Sequence, residues 1–475
     1  MLEVSRIFFD RLNRDGVRYC QWKSNSHLEA GLAGKTDLDL LVHPDDQAAF
    51  EAALASCDFK KILSPPSKRF PGFEDYLGFD AATGALVHVH LHYRLILGRK
   101  YIKELHLPLE SLYFANLTRK LGVNIPCAEL ELIMLIMRAH LKVDYLSLLK
   151  HAIKGLMGAK YTAFPPDIED ELTNLIATSD MDRVVRLIGE SGLPLDFAWC
   201  RKFMDRFVSG KLKWFQILAG HYHIRRLLRP YRRNTGLGVQ VEYFRHFLLN
   251  TQVGSRLAPS QKKTLPGGGR VFSVIGADGS GKSTLIADLK KWLSWKLVTK
   301  RYYYGIPKDA ARSVADALMS GFSKLRLRGL ERLTSNVLLL HVARRRRAVS
   351  RRSRIDVDAG WVVITDRFPL PDFKAMPQPM DNPRIDPTAT LFGKNLRKSE
   401  EACYADLRFP DLAIVLQVDI EELRRRKTDL PRSLHEIKAS AVNAIRPRER
   451  LVTIDANRPY ADVLLEVKRL VWQAL

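Results

Sequence analysis

One short glycine-rich segment constrains the fold of this chain more than any other feature. Residues 276–283 read Gly-Ala-Asp-Gly-Ser-Gly-Lys-Ser, after an apolar run at 271–275. The segment that follows repeats Leu285, Leu289 and Leu293 at helical spacing. Glycines let the backbone curl so that successive N–H groups bind phosphate oxygens, and the following helix adds the positive end of its dipole. The pattern therefore predicts a strand, a phosphate-binding loop and a helix.

The polar residues of this loop indicate which phosphates it holds. Lys282 supplies a positive charge to β- and γ-phosphates, and the Ser283 hydroxyl can bind Mg²⁺. The alternative, a glycine-rich turn with an accidental Lys-Ser pair, leaves the flanking strand and helix unexplained. The residues that we expect to bind the nucleotide are Gly276, Asp278, Gly279, Ser280, Gly281, Lys282, Ser283 and Thr284.

Three further segments fit the same sheet. The apolar run at 361–368 contains Asp366 and Arg367, and the carboxyl ends of parallel strands form a ligand crevice. There Asp366 can hold Mg²⁺ or orient an attacking oxygen, and Arg367 can neutralise a phosphate on the acceptor. A strand at 411–419 precedes an arginine-rich segment typical of a mobile lid. A last strand and helix would complete a doubly wound parallel sheet.

Length and composition predict an α/β protein of several domains. The chain has 475 residues, an ordinary apolar content of 46% and a net charge of +24, so it attracts anions. A Pro- and Gly-rich linker at 258–269 separates a rear α/β domain (270–475) from a helical middle domain (116–257) and a small α/β domain (1–115). Five dispersed cysteines, no secretory signal and no long apolar run predict a reduced, cytoplasmic protein.

From about residue 268 onward the chain resembles thymidylate kinase, a P-loop nucleoside-monophosphate kinase. The resemblance rests on GADGSGKST, on ARRRR one helix before GWVVITDRF, and on the arginine-rich segment after the 411–419 strand. It implies that ATP and Mg²⁺ are the cofactors, and related kinases are often homodimers. It also implies roles for single residues: Asp278 at the acceptor sugar, Arg345 and Arg367 at the acceptor, and Arg426 and Arg432 in the lid.

Two segments depart from that family. The region KRYYYGIPK replaces the usual Arg-Glu-Pro segment, and FPLPDFKAMPQPMDNPRID replaces a Tyr- and Ser-rich stretch. Both missing segments help the family to recognise the thymine nucleotide. The resemblance therefore supports ATP use more strongly than it supports dTMP as the acceptor.

A second group of polar residues lies near the N-terminus. Asp37 and Asp39 are two residues apart in an apolar strand pattern, so both project to one face, where two carboxylates could share a metal ion. The segment is similar to polymerase-beta-like nucleotidyltransferases, in which a third acidic residue lies on a later strand. Here that position corresponds to His90, between His88 and His92. A hairpin with solvent-facing side chains, and an inactive fold used for binding, are the alternatives.

Three function classes follow. The first is ATP-dependent phosphoryl transfer to a phosphorylated small molecule, most simply a nucleoside monophosphate such as dTMP. The second is nucleotidyl transfer at Asp37 and Asp39, which would release pyrophosphate. The third is an ATP-responsive adaptor whose basic run from Arg225 to Arg233 contacts a membrane surface or another polyanion; we do not expect nucleic acid as a partner. A pure adaptor would need neither the Asp366-Arg367 pair nor a lid.

Overall fold

The computed structural model of the chain describes residues 1–98, 102–143, 164–233, 262–305, 310–370, 384–388, 390–426 and 432–475, with the single positions 238, 240, 241, 244 and 372. Its contacts divide the chain into two compact units, Met1–Gln261 and Lys262–Leu475. We call them the front unit and the rear unit. Residues 258–261 of the predicted linker lie outside the described residues.

The front unit combines a mixed sheet with a set of helices. Its strands are Tyr19–Gln21 (β1), Asp37–Val42 (β2), Lys60–Ile62 (β3), Phe73–Phe79 (β4), Leu86–His92 (β5), Ile96–Leu97 (β6), Leu105–His106 (β7), Leu117–Lys120 (β8) and Val123–Pro126 (β9). Its α-helices are Glu3–Arg14 (α1), Leu28–Leu32 (α2), Gln47–Ser56 (α3), Glu110–Ala115 (α4), Ala128–Leu141 (α5), Pro166–Thr178 (α6), Met181–Glu190 (α7), Phe197–Val208 (α8) and Trp214–Leu227 (α9). Short 3-10 turns are Asn25–His27, Pro44–Asp46, Pro66–Lys68 and Arg229–Tyr231.

Five strands of the front unit form one sheet in the order β1-β2-β5-β4-β3. Strands β2 and β5 are parallel, and the other neighbours are antiparallel. In β2 the apolar residues Leu38 and Leu40 are buried while the carboxylates alternate with them, as the period of a strand requires. Asp37 faces His88 and Asp39 faces His90 in the register of the parallel pair. The strand pairing therefore brings together residues that are about fifty positions apart in the chain.

The helices of the front unit share a core with its sheet. Helix α5 is almost wholly buried, and its buried residues include the charged Glu129, Glu131 and Arg138. Burial on all sides is expected for a helix in the centre of a helical layer. One continuous core joins Trp22 and Leu41 from the sheet to Ile133 and Ile224 from the helices. The boundary that we expect near residue 115 is therefore not a boundary between compact units, and the strands β8 and β9 extend β structure into the 116–257 segment.

The rear unit contains a second sheet flanked by helices. Its strands are Arg270–Gly276 (β10), Thr299–Tyr303 (β11), Val362–Asp366 (β12), Leu412–Gln417 (β13) and Leu451–Asp455 (β14). Its helices are Lys282–Leu293 (α10), Ala310–Lys324 (α11), Arg328–Asp358 (α12), Gly393–Ala405 (α13), Ile420–Arg426 (α14), Arg432–Asn443 (α15) and Tyr460–Ala474 (α16).

All five strands of the rear sheet are parallel, in the order β11-β12-β10-β13-β14. Such sheets are covered by helices on both faces, which explains why β10 is a nearly continuous apolar run with Phe272, Val274 and Ile275 fully buried. The chain leaves β10 toward one edge and leaves β13 toward the other, so the topological switch point lies beside the carboxyl end of β10. The sequence prediction of a parallel α/β sheet is confirmed.

Two expectations about the chain as a whole can be compared with the structure. Every cysteine is free. Among the described residues no helix combines the length and the apolar character that a membrane crossing needs.

Candidate functional site

The glycine-rich segment forms a tight loop between β10 and α10. Strand β10 ends at Gly276, and α10 begins at Lys282. Gly279 and Gly281 have φ angles of 90° and 89°, in the left-handed region that residues with a Cβ adopt only under strain. This conformation places the N-terminus of α10, with its unpaired N–H groups, at the carboxyl edge of the sheet.

Gly276 is required for a different reason, which is close packing. A Cβ built on Gly276 would lie 2.5 Å from Oγ of Ser280 and 3.1 Å from the carbonyl oxygen of Leu416. Both contacts are shorter than van der Waals distances allow, so a larger side chain would displace the loop. Ser280 itself is buried, and its Oγ has no hydrogen-bond partner among the described residues.

The Lys282 side chain lies inside the loop that it follows. It is only 6% exposed, and its Nζ donates a hydrogen bond to the carbonyl oxygen of Ala277 at 2.5 Å. Burial, with a smaller contribution from the charge of Arg367, lowers the pKa of Lys282 to about 8. The amine is therefore charged at neutral pH, and it lies where it can meet an anion bound to the loop.

Asp278 is held by two cations. Its Oδ1 accepts a hydrogen bond from Arg367 at 2.6 Å, and its Oδ2 accepts one from Lys438 at 2.6 Å. Burial raises the pKa of Asp278, but the bond from Lys438 and the charge of Arg367 outweigh that effect and lower it. Arg367 has a positive φ of 63°, an uncommon conformation that often marks functional sites. The predicted residues Asp278 and Arg367 are thus in contact.

Lys438 was not identified from the sequence. It lies on α15 and is 5% exposed, although 160 positions separate it from Asp278. No local pattern marks it, since a single lysine in an amphipathic helix is ordinary. Only the tertiary structure brings it to the loop.

Asp366 ends β12 directly beside the loop strand. It pairs in register with Val274, and its Oδ2 accepts a hydrogen bond from Arg301 at 2.9 Å. The other oxygen, Oδ1, is buried and has no hydrogen-bond partner among the described residues. A buried carboxylate oxygen that no protein donor satisfies is a suitable ligand for a hard cation, so the residues present fit the predicted Mg²⁺. Ser283 and Thr284 lie exposed on the first turn of α10, where their hydroxyls are accessible to such an ion.

The arginines of α12 differ in exposure and in partners. Arg345 is exposed, whereas its neighbour Arg346 is buried and donates to the backbone oxygen of Tyr304 at 2.8 Å and to the Tyr404 hydroxyl at 2.6 Å. Arg347 and Arg351 both bind Asp406. Arg345 thus lies on the exposed side of α12, and its contact with an acceptor stays a prediction.

The predicted lid arginines are described only in part. Arg426 ends α14, where its Nε donates to Glu422 at 2.6 Å and its guanidinium also contacts the carbonyl oxygen of Ala456 at 3.2 Å. Arg432 begins α15, but its side chain lies outside the described residues, as do residues 427–431. Among the described contacts, Arg426 is thus bound to its own helix and to the segment after β14.

The front unit divides the predicted carboxylate pair between two sets of partners. Asp37 lies 3.0 Å from Nδ1 of His88, whose Nε2 lies 3.1 Å from Asp75. Asp39 lies 3.1 Å from Nδ1 of His90 and 2.8 Å from Nζ of Lys23. The predicted metal ligands Asp37 and Asp39 therefore have separate neighbours. His90 lies against the second carboxylate, as its register predicts.

The basic run at the end of α9 is partly integrated into the front unit. Arg225 is half-buried and lies 4.0 Å from the buried Glu104. The Arg233 N–H donates to the backbone oxygen of Glu104. Arg226 and Arg229 are exposed. Contact of this run with a membrane or polyanion stays a prediction.

Comparisons with known proteins give partial similarities. No protein-family model matches the chain. A protein of Escherichia coli strain K12 named "Uncharacterized ATP-binding protein YghR" is 26% identical over 239 residues, which are 47% of this chain and 94% of that protein. A protein of the same name from Escherichia coli O6:H1 gives the same values.

Two solved structures of thymidylate kinase are also similar. The enzyme from Candida albicans has 15% identity and a TM-score of 0.26, covering 43% of this chain and 90% of its own. The enzyme from Ehrlichia chaffeensis has 19% identity and a TM-score of 0.24, covering 43% and 98%. Scores this low carry no argument about this chain. The observed parallel sheet, left-handed glycines and buried lysine define the rear unit as a P-loop domain on their own.

Proposed function

We propose that the rear unit is a kinase that transfers the terminal phosphoryl group of ATP to a phosphorylated small molecule, with a nucleoside monophosphate such as dTMP as the first candidate. One observation carries the proposal: a buried lysine, an arginine and a buried carboxylate meet around one phosphate-binding loop, and one oxygen of that carboxylate has no hydrogen-bond partner in the described part of the chain. The name of the Escherichia coli relative supports ATP as the nucleotide.

Each of these groups has a task in such a reaction. The loop amides and Lys282 bind the phosphates and hold the terminal one in position. Ser283 and Asp366 would hold Mg²⁺, which neutralises phosphate charge when it is bound. Catalysis of this kind consists mostly of positioning and charge stabilisation in a site that excludes water.

The ion pairs around Asp278 support an assignment of the acceptor side of the site. Arg367 is fixed by Asp278, so its guanidinium has a defined position at the carboxyl edge of the sheet. Lys438 holds the other oxygen of the same carboxylate. We therefore assign Arg367 to the phosphate of the acceptor, and Lys438 the role of positioning Asp278. Arg345, Arg426 and Arg432 remain candidates for contact with the acceptor or the transferring group.

The proposal is tested by ADP formation with ATP, Mg²⁺ and a panel of nucleoside monophosphates, sugars and polyols. With the preferred acceptor, Lys282→Ala should lower turnover at least about 100-fold, since one buried donor at a charged transition state is worth that much. Lys290→Ala is the matched control, because Lys290 lies exposed on the same helix. Equal turnover by wild type and Lys282→Ala, or no ADP with any acceptor, would contradict the proposal.

The same assay separates the alternative classes. Nucleotidyl transfer in the front unit would release pyrophosphate, and Asp37→Asn would abolish that release while leaving ADP formation intact. An adaptor would bind ATP without turnover, and its binding to anionic surfaces would weaken steeply with salt.

A further inference from the structure

A compact group of three metal-ligating side chains lies in the front unit. Asp39 on β2 and His90 and His92 on β5 direct one atom each to a common point, with all of these atoms within 4.8 Å of one another. His92 is fully buried, and the other two side chains are 14% and 22% exposed. The P-loop chemistry proposed for the rear unit uses none of these residues.

The distances within this group match a metal site. Oδ1 of Asp39 lies 3.1 Å from Nδ1 of His90 and 3.5 Å from Nε2 of His92, and the two nitrogens are 3.2 Å apart. Zinc bonds of 2.0–2.1 Å in tetrahedral geometry place neighbouring ligand atoms about 3.3 Å apart. The three atoms thus form one face of a tetrahedron of the correct size.

Hydrogen bonds alone cannot satisfy this arrangement. Each ring nitrogen carries at most one proton. If both imidazoles donate to Asp39, then two N–H groups face each other at 3.2 Å. If His92 donates to His90 instead, then a nitrogen lone pair of His90 faces the carboxylate oxygen. Hydrogen bonds can therefore account for only two of the three close distances. One metal ion bound to Oδ1 of Asp39, Nδ1 of His90 and Nε2 of His92 would account for all three.

Packing fixes the rings in place. The Phe73 ring lies 4.4 Å from that of His92 and 5.5 Å from that of His90, and Trp22 packs against His92 at 5.3 Å. Aromatic walls restrict ring rotation and exclude water, so the ligands are pre-organised. Nδ1 of His92 is buried and has no hydrogen-bond partner among the described residues.

We propose that Asp39, His90 and His92 bind a zinc-class transition metal ion in the front unit. Two imidazoles and one carboxylate favour Zn²⁺ over Mg²⁺, which prefers an all-oxygen set. Three protein ligands leave a fourth position open, and open positions of this kind accept water or a substrate atom. Lys23 lies 2.8 Å from the same oxygen of Asp39, so it competes with the ion and would favour an anionic fourth ligand.

The test is a calorimetric titration of the metal-stripped full chain with Zn²⁺, without nucleotide. Wild type should bind one ion, and His90→Ala should bind it at least about 100-fold more weakly, because even the loss of a residue supporting a ligand costs 10–100-fold. His92→Ala should behave in the same way, with circular dichroism confirming the fold. His27→Ala, a change of an exposed histidine, is the matched control and should bind like wild type.

A variant with the opposite effect sharpens the test. Lys23→Ala removes the competing cation and should tighten Zn²⁺ binding several-fold. Co²⁺ in place of Zn²⁺ should give the intense visible bands of a tetrahedral ion, and these bands should disappear in His90→Ala. No uptake by wild type, equal uptake by wild type and His90→Ala, or weaker binding by Lys23→Ala would overturn the proposal. None of these outcomes bears on the rear unit.

Discussion

The two units place charged groups together by different means. In the rear unit, the phosphate-binding loop consists of eight consecutive residues, and the backbone conformation of these residues gives the loop its shape. In the front unit, the Asp39, His90 and His92 group is assembled by the register of two parallel strands with about fifty residues between them. A site formed by consecutive residues can therefore be predicted from the sequence. A site formed by residues on two paired strands can be predicted only once the pairing register is known.

The largest effect is expected for Asp366 in the rear unit, which the pairing of β12 with β10 brings beside the loop. Asp366→Asn removes the charge of the carboxylate whose Oδ1 is buried and lacks a partner among the residues that the structure describes, so Mg²⁺ should bind more weakly. We expect the Mg²⁺ concentration needed for half-maximal turnover to rise at least about tenfold. Asp358→Asn, at an exposed position on α12, is the control. An unchanged Mg²⁺ requirement would show that Asp366 does not serve the ion.

A change in the contiguous loop itself should have a somewhat smaller effect. In Gly276→Ala the new methyl group would meet Oγ of Ser280 at 2.5 Å, and overpacking of this kind costs about 1–3 kcal/mol. We expect ATP affinity to fall about tenfold, measured by calorimetry.

Two glycines elsewhere provide the controls for Gly276→Ala. Gly321→Ala adds a methyl group with no atom within 4 Å and should leave affinity unchanged. Gly34→Ala would bring a methyl group 2.4 Å from the Leu86 carbonyl oxygen and should lower stability in the front unit without altering ATP affinity. If Gly34→Ala weakened ATP binding as much as Gly276→Ala, then the assignment of ATP binding to the loop of the rear unit would be wrong.

The smallest expected effect comes from pH. The pKa of Lys282 is about 8, so the amine is charged below that pH and loses its proton as pH rises through it. ATP affinity should fall several-fold from about pH 7 to about pH 9. Lys282→Arg keeps its charge, so its affinity should stay flat over that range; an identical pH profile for both proteins would contradict the assignment.

The titration of Lys282 does not itself destabilise the fold over this pH range. The unfolded chain keeps the Lys282 proton up to its ordinary pKa of 10.5, whereas the folded chain releases it near 8. Because the unfolded state binds more protons in that window, this lysine increases stability as pH rises. Thermal unfolding at each pH checks this point.

The accuracy of the sequence predictions follows the same division. The local pattern predicted the loop and its flanking strand and helix. The rule for parallel sheets predicted that Asp366 and Arg367 lie next to that loop. Lys438 and Arg301 could not be predicted, because each reaches the site from a distant element. The burial of Arg346 beside the exposed Arg345 could not be predicted either, and the role of Arg345 at the acceptor stays a prediction.

The front unit shows a further limit of sequence reasoning. The sequence correctly predicts one strand carrying Asp37 and Asp39, and a shared ion between the two carboxylates stays a prediction. The structure gives Asp37 to His88 and Asp39 to His90, because each strand position has its own cross-strand partner. The boundary predicted near residue 115 falls inside one compact unit. The order of helices and strands along the sequence does not show that Trp22 and Ile133 share one core.

The most direct test of the central claim, that the loop at 276–283 binds the phosphates of ATP, is calorimetry of ATP with the full chain and Mg²⁺. Wild type should bind one nucleotide, and Lys282→Ala should bind it far more weakly while circular dichroism shows that it remains folded. Equal binding of ATP by the two proteins, or no heat of binding with wild type, would contradict the account.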